Sequence, residues 1–552
     1  MRLRTVLCAL FVALSPMLPA WADEVDDLES TIKKKKYGDY WDRLNALSKL
    51  GSVGGAKAAL AVGEVLDDDE APIREAAALA LARMKDDPAV QCIISKLLAH
   101  PKPRGRETAI LGLGLGRCSA AVKPLEHLLA KGDPESRMAA ARSLGMIGDK
   151  AAADALGAQA GGSGPPALRA QCLLALAELG AGADAIAKCL KDSNAEVRSA
   201  ALAAAAATDG KAFADAVTAA LADKDASVRV AAVDALHACL AEGAFDPAVK
   251  ALADKEWPVR VAAIDAIVEV WTKAAVGALI AHMPEEKGRL RFDVSQALTR
   301  MTGKDIGYDS LAWKGWWESN KDAFEMEKKP KKREARQAKE GGSVTAFFNI
   351  PILSDRIAFV LDFSGSMKTM EDKKPGEGES APQSGDEVMK MDIAIQELER
   401  CLSKLDPKVK FNIFIMCYAH DPVLLTRPAF NKTLAPASPG NLKNASKFVD
   451  DTRKTVLAVQ RGRGDFWDQL IAAFQDEEVD TVIVLSDGKP TYGQWCDRDN
   501  IHYFIHRANR CRKIMIHTVL TGTKGIDAKF MDKLAGDTGG MFSRKEGEKD
   551  KK

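Results

Sequence analysis

Nine arginines recur at a nearly constant step through the first half of the chain. Arg43, Arg74, Arg106, Arg137, Arg169, Arg198, Arg229, Arg260 and Arg291 lie 31, 32, 31, 32, 29, 31, 31 and 31 residues apart. Most of them open the same text: the run Val228 to Leu236 returns one period later, nearly unchanged, as Val259 to Ile267. Apolar residues within each run recur at three- and four-residue steps, so each run is read as a helix with one buried face. Asp133 with Pro134, Asp225 and Pro258 supply N-cap and first-turn chemistry. A second, shorter helical run, such as Phe213 to Leu221, completes each period. Two helices every 31 or so residues cannot close a core alone; only the neighbouring unit covers the exposed face, which predicts a stacked solenoid. Abundant alanine lets paired helices approach closely. The arginine is expected to bond the carbonyls of the preceding turn or an aspartate there, a structural role. A single long bundle would not keep so steady a period.

On these residues the segment 37–300 resembles short HEAT-like repeats, of the kind also seen in phycobilisome-lyase-type proteins. The resemblance implies nine units forming a right-handed superhelix used for protein binding, without implying lyase chemistry.

At 552 residues the chain is too long for one core. A hydrophobic fraction of 47% and 28% charged residues mark it as globular, and a net charge of +1 gives no field that would select nucleic acid. The first 22 residues read as an export signal: Arg2 and Arg4, an apolar run from Thr5 to Leu14, then Ala20-Trp21-Ala22 as a small-x-small cleavage site. An uncleaved anchor is the alternative. No later apolar run reaches the ~18 residues a membrane span requires. The expectation is therefore an exported protein, periplasmic or extracellular, with no integral span after cleavage. Cys92, Cys118, Cys172, Cys189 and Cys239 fall in helical text without metal-like spacing and are read as buried thiols. Cys401, Cys417, Cys496 and Cys511 lie in the second half, and of the ten cysteines the nine that remain after cleavage, an odd number, leave pairing open. Residues 23–36 form a mature N-terminal segment.

Residues 301–324 carry Trp313, Trp316 and Trp317 at helical spacing, read as a cap on the last repeat rather than a ligand-stacking platform. Residues 325–343, including the basic run Lys328 to Arg333, read as a charged linker rather than a nucleic-acid patch. From Val344 strand-like and helical runs alternate. Expected strands are 345–350, 356–361, 410–417, 481–485 and 513–519; expected helices are 388–404, 441–459, 466–475, 500–509 and 527–535. Such alternation predicts a mostly parallel sheet covered on both faces, with any ligand beyond the carboxyl ends of its strands. Asp362 and Asp487 each stand at such an end, and Asp362 opens a run of oxygen-bearing residues, Ser364 and Ser366, around Gly365. Oxygen ligands alternating along a tight turn suit a hard cation.

Residues 344–545 are similar to a von Willebrand factor A-type domain. The text that carries this is Phe359 to Met367, then Leu485 to Pro490, then Phe530 to Gly540. The fold class is thus an all-α HEAT-like solenoid followed by an α/β doubly wound module, with a charged tail at 546–552. The resemblance implies a metal-ion-dependent adhesion site, usually holding Mg²⁺, with Mn²⁺ or Ca²⁺ as alternatives. Ser364 and Ser366 would ligate directly, and Asp362 and Asp487 directly or through water. A carboxylate donated by an unknown protein ligand would complete the shell. One departure stands out: Gly464 occupies the position where the family has a threonine, so a ligand is missing or Asp465 replaces it from one residue on. Arg463-Gly464-Asp465 is an RGD tripeptide, but it coincides with this loop and is not read as an integrin motif. The insertion 368–386, rich in Gly, Pro, Glu and Ser, lies beside the metal loop.

No nucleophile elbow or phosphate loop is present in the text, and His502 with His506 has no third ligand at metal spacing. The expectation is a non-enzymatic protein of the cell envelope or exterior that binds a partner through its repeats and a cation site. A scaffold with a degenerate, metal-free domain is the alternative, and an ion-activated hydrolase a third.

Overall fold

The computed structural model describes residues 21–330, 336–337, 345–368, 370–372, 387–417, 429–458, 463–522 and 527–544. The export signal through residue 20, most of the charged linker, most of the insertion at 368–386 and the tail at 546–552 lie outside the described residues. The chain divides into two compact units, one ending at Lys191 and one beginning at Asp192.

The first unit is helical throughout. Trp21–Ile32 precedes five two-helix repeats whose longer helices are Tyr40–Val53, Ala71–Arg83, Pro103–Leu115, Pro134–Ile147 and Pro166–Leu179. The mature N-terminal segment is therefore largely a helix, and its Val25 and Ile32 are buried. Asp133 caps Pro134–Ile147 by accepting from the Ser136 amide, as its position beside Pro134 predicts. The periodic arginines do what their spacing suggests. Arg106 Nη1 donates to the carbonyl of His100 at 2.7 Å, and Nη2 reaches Asp133 at 2.7 Å. Arg43 donates to the Ile32 carbonyl and pairs with Asp68. Arg137 and Arg169 take the carbonyls of Leu129 and Ala160. Each planar guanidinium fork ties a helix to the turn before it and, where an acid is present, to the turn after it.

The second unit holds both the remaining repeats and an α/β module. Its long repeat helices are Ala195–Ala207, Ala226–Leu240, Trp257–Val270 and Gly288–Thr302. Arg198 and Arg229 form bidentate pairs with Asp223 and Asp254, and each also donates to the carbonyls of two residues in the preceding turn. The Trp-rich segment is the second helix of the last repeat, Ser310–Asn320. Trp313 is fully buried with Nε1 donating to the Gly307 carbonyl, while Trp316 and Trp317 pack against Phe324. The described start of the linker runs back along the repeats: Lys329 pairs with Glu269, and the Glu327 carbonyl accepts from Trp271.

The module's main sheet contains β1 (Arg336–Gln337), β2 (Arg356–Asp362), β3 (Lys410–Met416), β4 (Ala435–Pro436), β5 (Thr481–Ser486), β6 (Met515–Leu520) and β7 (Met541–Arg544), in the order β1-β7-β6-β5-β2-β3-β4. All pairings are parallel except β3 with β4. Helices α1 (Lys390–Leu402) and α2 (Pro439–Ala458) bury Leu398, Cys401 and Val449 with Phe359, Leu361 and Ile413 on one face. Helices α3 (Phe466–Gln475), α4 (Arg498–Asn509) and α5 (Ala528–Thr538) belong to the rest of the module, α3 against β2 and β3 and α5 against β6 and β7. Strand order reverses between β2 and β5, and such a reversal opens a crevice at the carboxyl ends of the strands.

Two expectations changed. The strand expected over 345–350 is a hairpin of Ala346–Phe347 with Ile350–Pro351, because Phe348 and Asn349 take left-handed φ of 45° and 65° and turn the chain back. The strand after Gly540 had not been foreseen. Met541–Arg544 is short, and its pairing with β6 on one side and β1 on the other makes it a strand.

The repeats and the module of this unit are packed together. Arg289 Nη1 donates to the Asp480 carbonyl at 2.8 Å, Arg510 Nη1 to the Ser199 carbonyl at 2.9 Å, and Lys513 pairs with Asp234 at 2.8 Å. Phe292, from the last long repeat helix, lies in the sheet's own core beside Tyr308 and His517.

Two outcomes are expected. Arg229→Ala leaves the Asp254 carboxylate and two turn carbonyls without their donor and costs about 3 kcal/mol, read as a lower urea midpoint, with Arg229→Lys recovering less than half. His517 is fully buried, accepts from the Met541 amide at 2.9 Å, and burial followed by the Arg289 charge pushes it down to about 3. The unfolded chain then binds the proton more readily, so stability is lost as pH falls from about 6.5 toward 3, by on the order of 4 kcal/mol. His517→Gln should flatten that part of the stability–pH curve.

Candidate functional site

β2 and β5 are adjacent and in register, Leu361 opposite Leu485, so Asp362 and Ser486 end side by side. Ser486 Oγ donates to Asp362 Oδ2 at 2.7 Å. The Ser364 amide donates to Asp362 Oδ1 at 2.8 Å, closing an Asx turn that carries the chain into Gly365–Lys368. Ser364 and Ser366 place their hydroxyl oxygens 3.0 Å apart, with Ser364 buried and Ser366 exposed. Asp487 follows Ser486, is 3% exposed, and takes the Lys489 amide at 3.2 Å on Oδ1. Gly488 turns the chain there with φ of 77° and donates its amide back to Ser486 Oγ.

Asp362 is 2% exposed, and burial together with the negative charge of Asp487 pushes it up to about 6. A buried carboxyl whose ionisation is opposed by burial and by a second carboxylate beside it favours a proton or a cation. The donor set is carboxylate and hydroxyl oxygen, the hard ligand type that Mg²⁺ takes. No His, Cys, Asp or Glu trio close enough to hold a metal exists among the described residues, so any ion here would rest on two acids, hydroxyls and water.

The loop before α3 divides its two candidates. Gly464 approaches the site: a Cβ there would lie 3.5 Å from Ser364 Cβ and 3.7 Å from Asp362 Oδ1, ordinary contact with room for a side chain. Its amide is held by Thr491 Oγ1 at 2.8 Å, and its carbonyl accepts from Thr491 and Tyr492. The Asp465 side chain instead caps α3, accepting from the Asp468 amide at 3.2 Å, and faces Asp468 and the bare Cα of Gly493. Burial and the Asp468 charge push Asp465 up to about 7. The structure thus gathers Asp362, Ser364, Ser366 and Asp487 and turns Asp465 into a helix cap. Arg463 is buried and lies over the Tyr492 ring, so the tripeptide is not displayed.

Ser486 and Thr491 were not foreseen as site residues. Ser486 had a readable signal, since it is the strand's last position and adjoins Asp487. Thr491 had none, because its link to Gly464 spans 27 residues of intervening chain. Among the described residues no disulfide links the cysteines, and no helix is long and apolar enough to cross a membrane.

Residues 92–177 match the family model for HEAT repeats. No curated protein matches the chain. Among solved structures, human deoxyhypusine hydroxylase in complex with glycerol is 20% identical over 45% of this chain and 96% of its own, at a TM-score of 0.21. Kap121p is 13% identical over 50% of this chain and 33% of its own, at 0.32. An engineered protein is 16% identical over 55% of this chain and all of its own, at 0.27. The helical text is built of two-helix repeats, of which residues 92–177 match HEAT repeats, and stacked repeats of this kind present extended concave surfaces.

Ser486→Ala should leave Asp362 Oδ2 without its donor and cost roughly 1–3 kcal/mol in metal-free buffer, read as a lower melting temperature. Ser366→Ala, at an exposed hydroxyl, should leave melting unchanged within about 0.5 kcal/mol.

Proposed function

We propose that the chain is a non-enzymatic protein-binding scaffold of the cell envelope or exterior whose α/β module is a von Willebrand factor A-type domain holding a divalent cation. Asp362 and Asp487 supply the charge, Ser364 and Ser366 the neutral oxygens, and a carboxylate from the partner protein the remaining position. Mg²⁺ is the favoured ion, with Mn²⁺ and Ca²⁺ as alternatives. The observation that carries this reading is the buried Asp362 carboxyl, raised by its surroundings and by Asp487 at the strand-order reversal. A cation there relieves the repulsion between the two acids, and hydroxyls on the following turn fit a hard ion that keeps several waters. Gly464 brings no side-chain oxygen to its side of the site, a place for water or for the partner. Export is supported by the leading Arg2–Ala22 text alone.

The test is titration with Mg²⁺ and Mn²⁺. At a hundredfold excess over Kd the ion should stabilise the wild type by about 2.7 kcal/mol, and Asp362→Ala should abolish the effect. Gly464→Thr, which adds a hydroxyl beside Asp362, should tighten the ion. Capture of a partner from envelope extract should fail in EDTA and fail equally with Asp362→Ala. A wild-type melting curve indifferent to both ions refutes the cation and leaves the repeat scaffold alone.

A further inference from the structure

The cation reading leaves His502 and His506 unused. They stand one turn apart on α4 and both line a cavity of about 330 Å³, within the usual range for small-ligand sites. The His502 side chain is 11% exposed, with Nδ1 3.5 Å from Asp537 Oδ2 on α5. Its buried Nε2 has no hydrogen-bond partner among the described residues. Burial lowers His506 below the ordinary histidine range; Lys513 and Lys533 act the same way, opposed by Asp537 and Asp234.

The charged groups on the other walls are unevenly engaged. Asp234 is paired with Lys513, and Asp265 adds its field to the same lysine. Asp537 is shared by Lys533 and His502. Arg510, by contrast, is held by the carbonyl and hydroxyl of Ser199, both neutral. Arg289 is 4% exposed; its Nη1 is on the Asp480 carbonyl, and its Nε lies 3.2 Å from Asp293 without making a hydrogen bond. Donors to spare are therefore nitrogen groups, while the acids already have cations. With neutral histidines the lining charges Arg289, Arg510 and Lys513 balance Asp234, Asp265 and Asp537. A metal is poorly served, because no suitable trio of ligands exists among the described residues.

We propose that this cavity binds a small oxyanion, a carboxylate or a phosphate, through His502, His506 and Arg510. Binding draws a proton from solvent onto each histidine that contacts the anion, which supplies the positive charge the balanced lining lacks. Affinity is therefore highest below the histidine range and falls as pH rises, by up to about tenfold per pH unit for each proton taken up. Asp234, Asp265 and Asp537, which line the same cavity, set the limit on anion charge.

The experiment uses the full chain in EDTA, so that the cation site does not contribute, and titrates inorganic phosphate and succinate calorimetrically at pH 6 and pH 8. At least one should bind at pH 6 and be about tenfold or more weaker at pH 8. For phosphate, its own second ionisation works against that trend, so a decrease reports the histidines. A response to phosphate alone or succinate alone identifies the headgroup. His502→Gln and His506→Gln should each cost about tenfold, while Asp362→Ala should leave the titration unchanged. No binding of either anion at pH 6, or full binding by a folded double-glutamine variant, overturns the proposal. Should those variants unfold, the wild-type histidine ring resonances decide: two must shift with the anion, and unmoved signals overturn it.

Discussion

The contact on which the helical architecture depends is a guanidinium held between two turns. Carbonyls at a helix end lack intrahelical partners, and an arginine entering the next helix satisfies two of them at once. At Arg198 and Arg229 the rest of the fork closes on an aspartate one turn further along. That aspartate in turn accepts an amide at the start of the following helix: Asp223 takes Asp225 N, and Asp254 takes Glu256 N. Each unit therefore positions the next through a chain of charge-assisted bonds, and the alanine faces need only pack closely. The spacing of the arginine is thus a consequence of the repeat's geometry and not a second, independent signal.

The same device joins the repeats to the module. Arg289 precedes the periodic Arg291 by two positions, and its donor reaches the Asp480 carbonyl just before β5. Asp480 is also the acceptor for Ser354 and Arg356, which lead into β2. One buried aspartate therefore fixes the amino ends of the two strands whose carboxyl ends carry Asp362 and Asp487. With seven-residue and six-residue strands in register, any slip at Asp480 would transmit to the site as a change of face.

Much of this was legible in the text. The repeat period, α3 to its residues, and both strand-end acids follow from patterning that is local: helix caps, apolar runs and turn residues. What was not legible depends on partners far along the chain. Asp465 reads as a ligand one residue from Gly464, but a position just ahead of a helix offers its carboxylate the unsatisfied amides of the first turn, and that claim wins. The strand Met541–Arg544 and the hairpin at Phe348 and Asn349 owe their form to β6 and to left-handed backbone, neither of which periodicity reports. The tryptophan spacing is legible in the text, yet the helix's role as the last unit's second helix needs Gly307 as the acceptor for Trp313.

The acid pair at the strand-order reversal is a place where the fold works against itself, and the Asp465–Asp468 pair at the start of α3 is another. Other buried carboxylates meet cations, as Asp480 does with Arg356 and Asp68 with Arg43. Among the described residues Asp362 receives neutral donors, the Ser364 amide and serine hydroxyls, with a second carboxylate beside it. Neutral donors orient a carboxylate but do not cancel its charge, so the pair carries an electrostatic cost that packing cannot remove. Replacing either acid by an amide would relieve that cost without disturbing the strands. That cost sits at the carboxyl ends of β2 and β5, beside the Ser364 and Ser486 hydroxyls, and it is the cost that the proposed cation would remove.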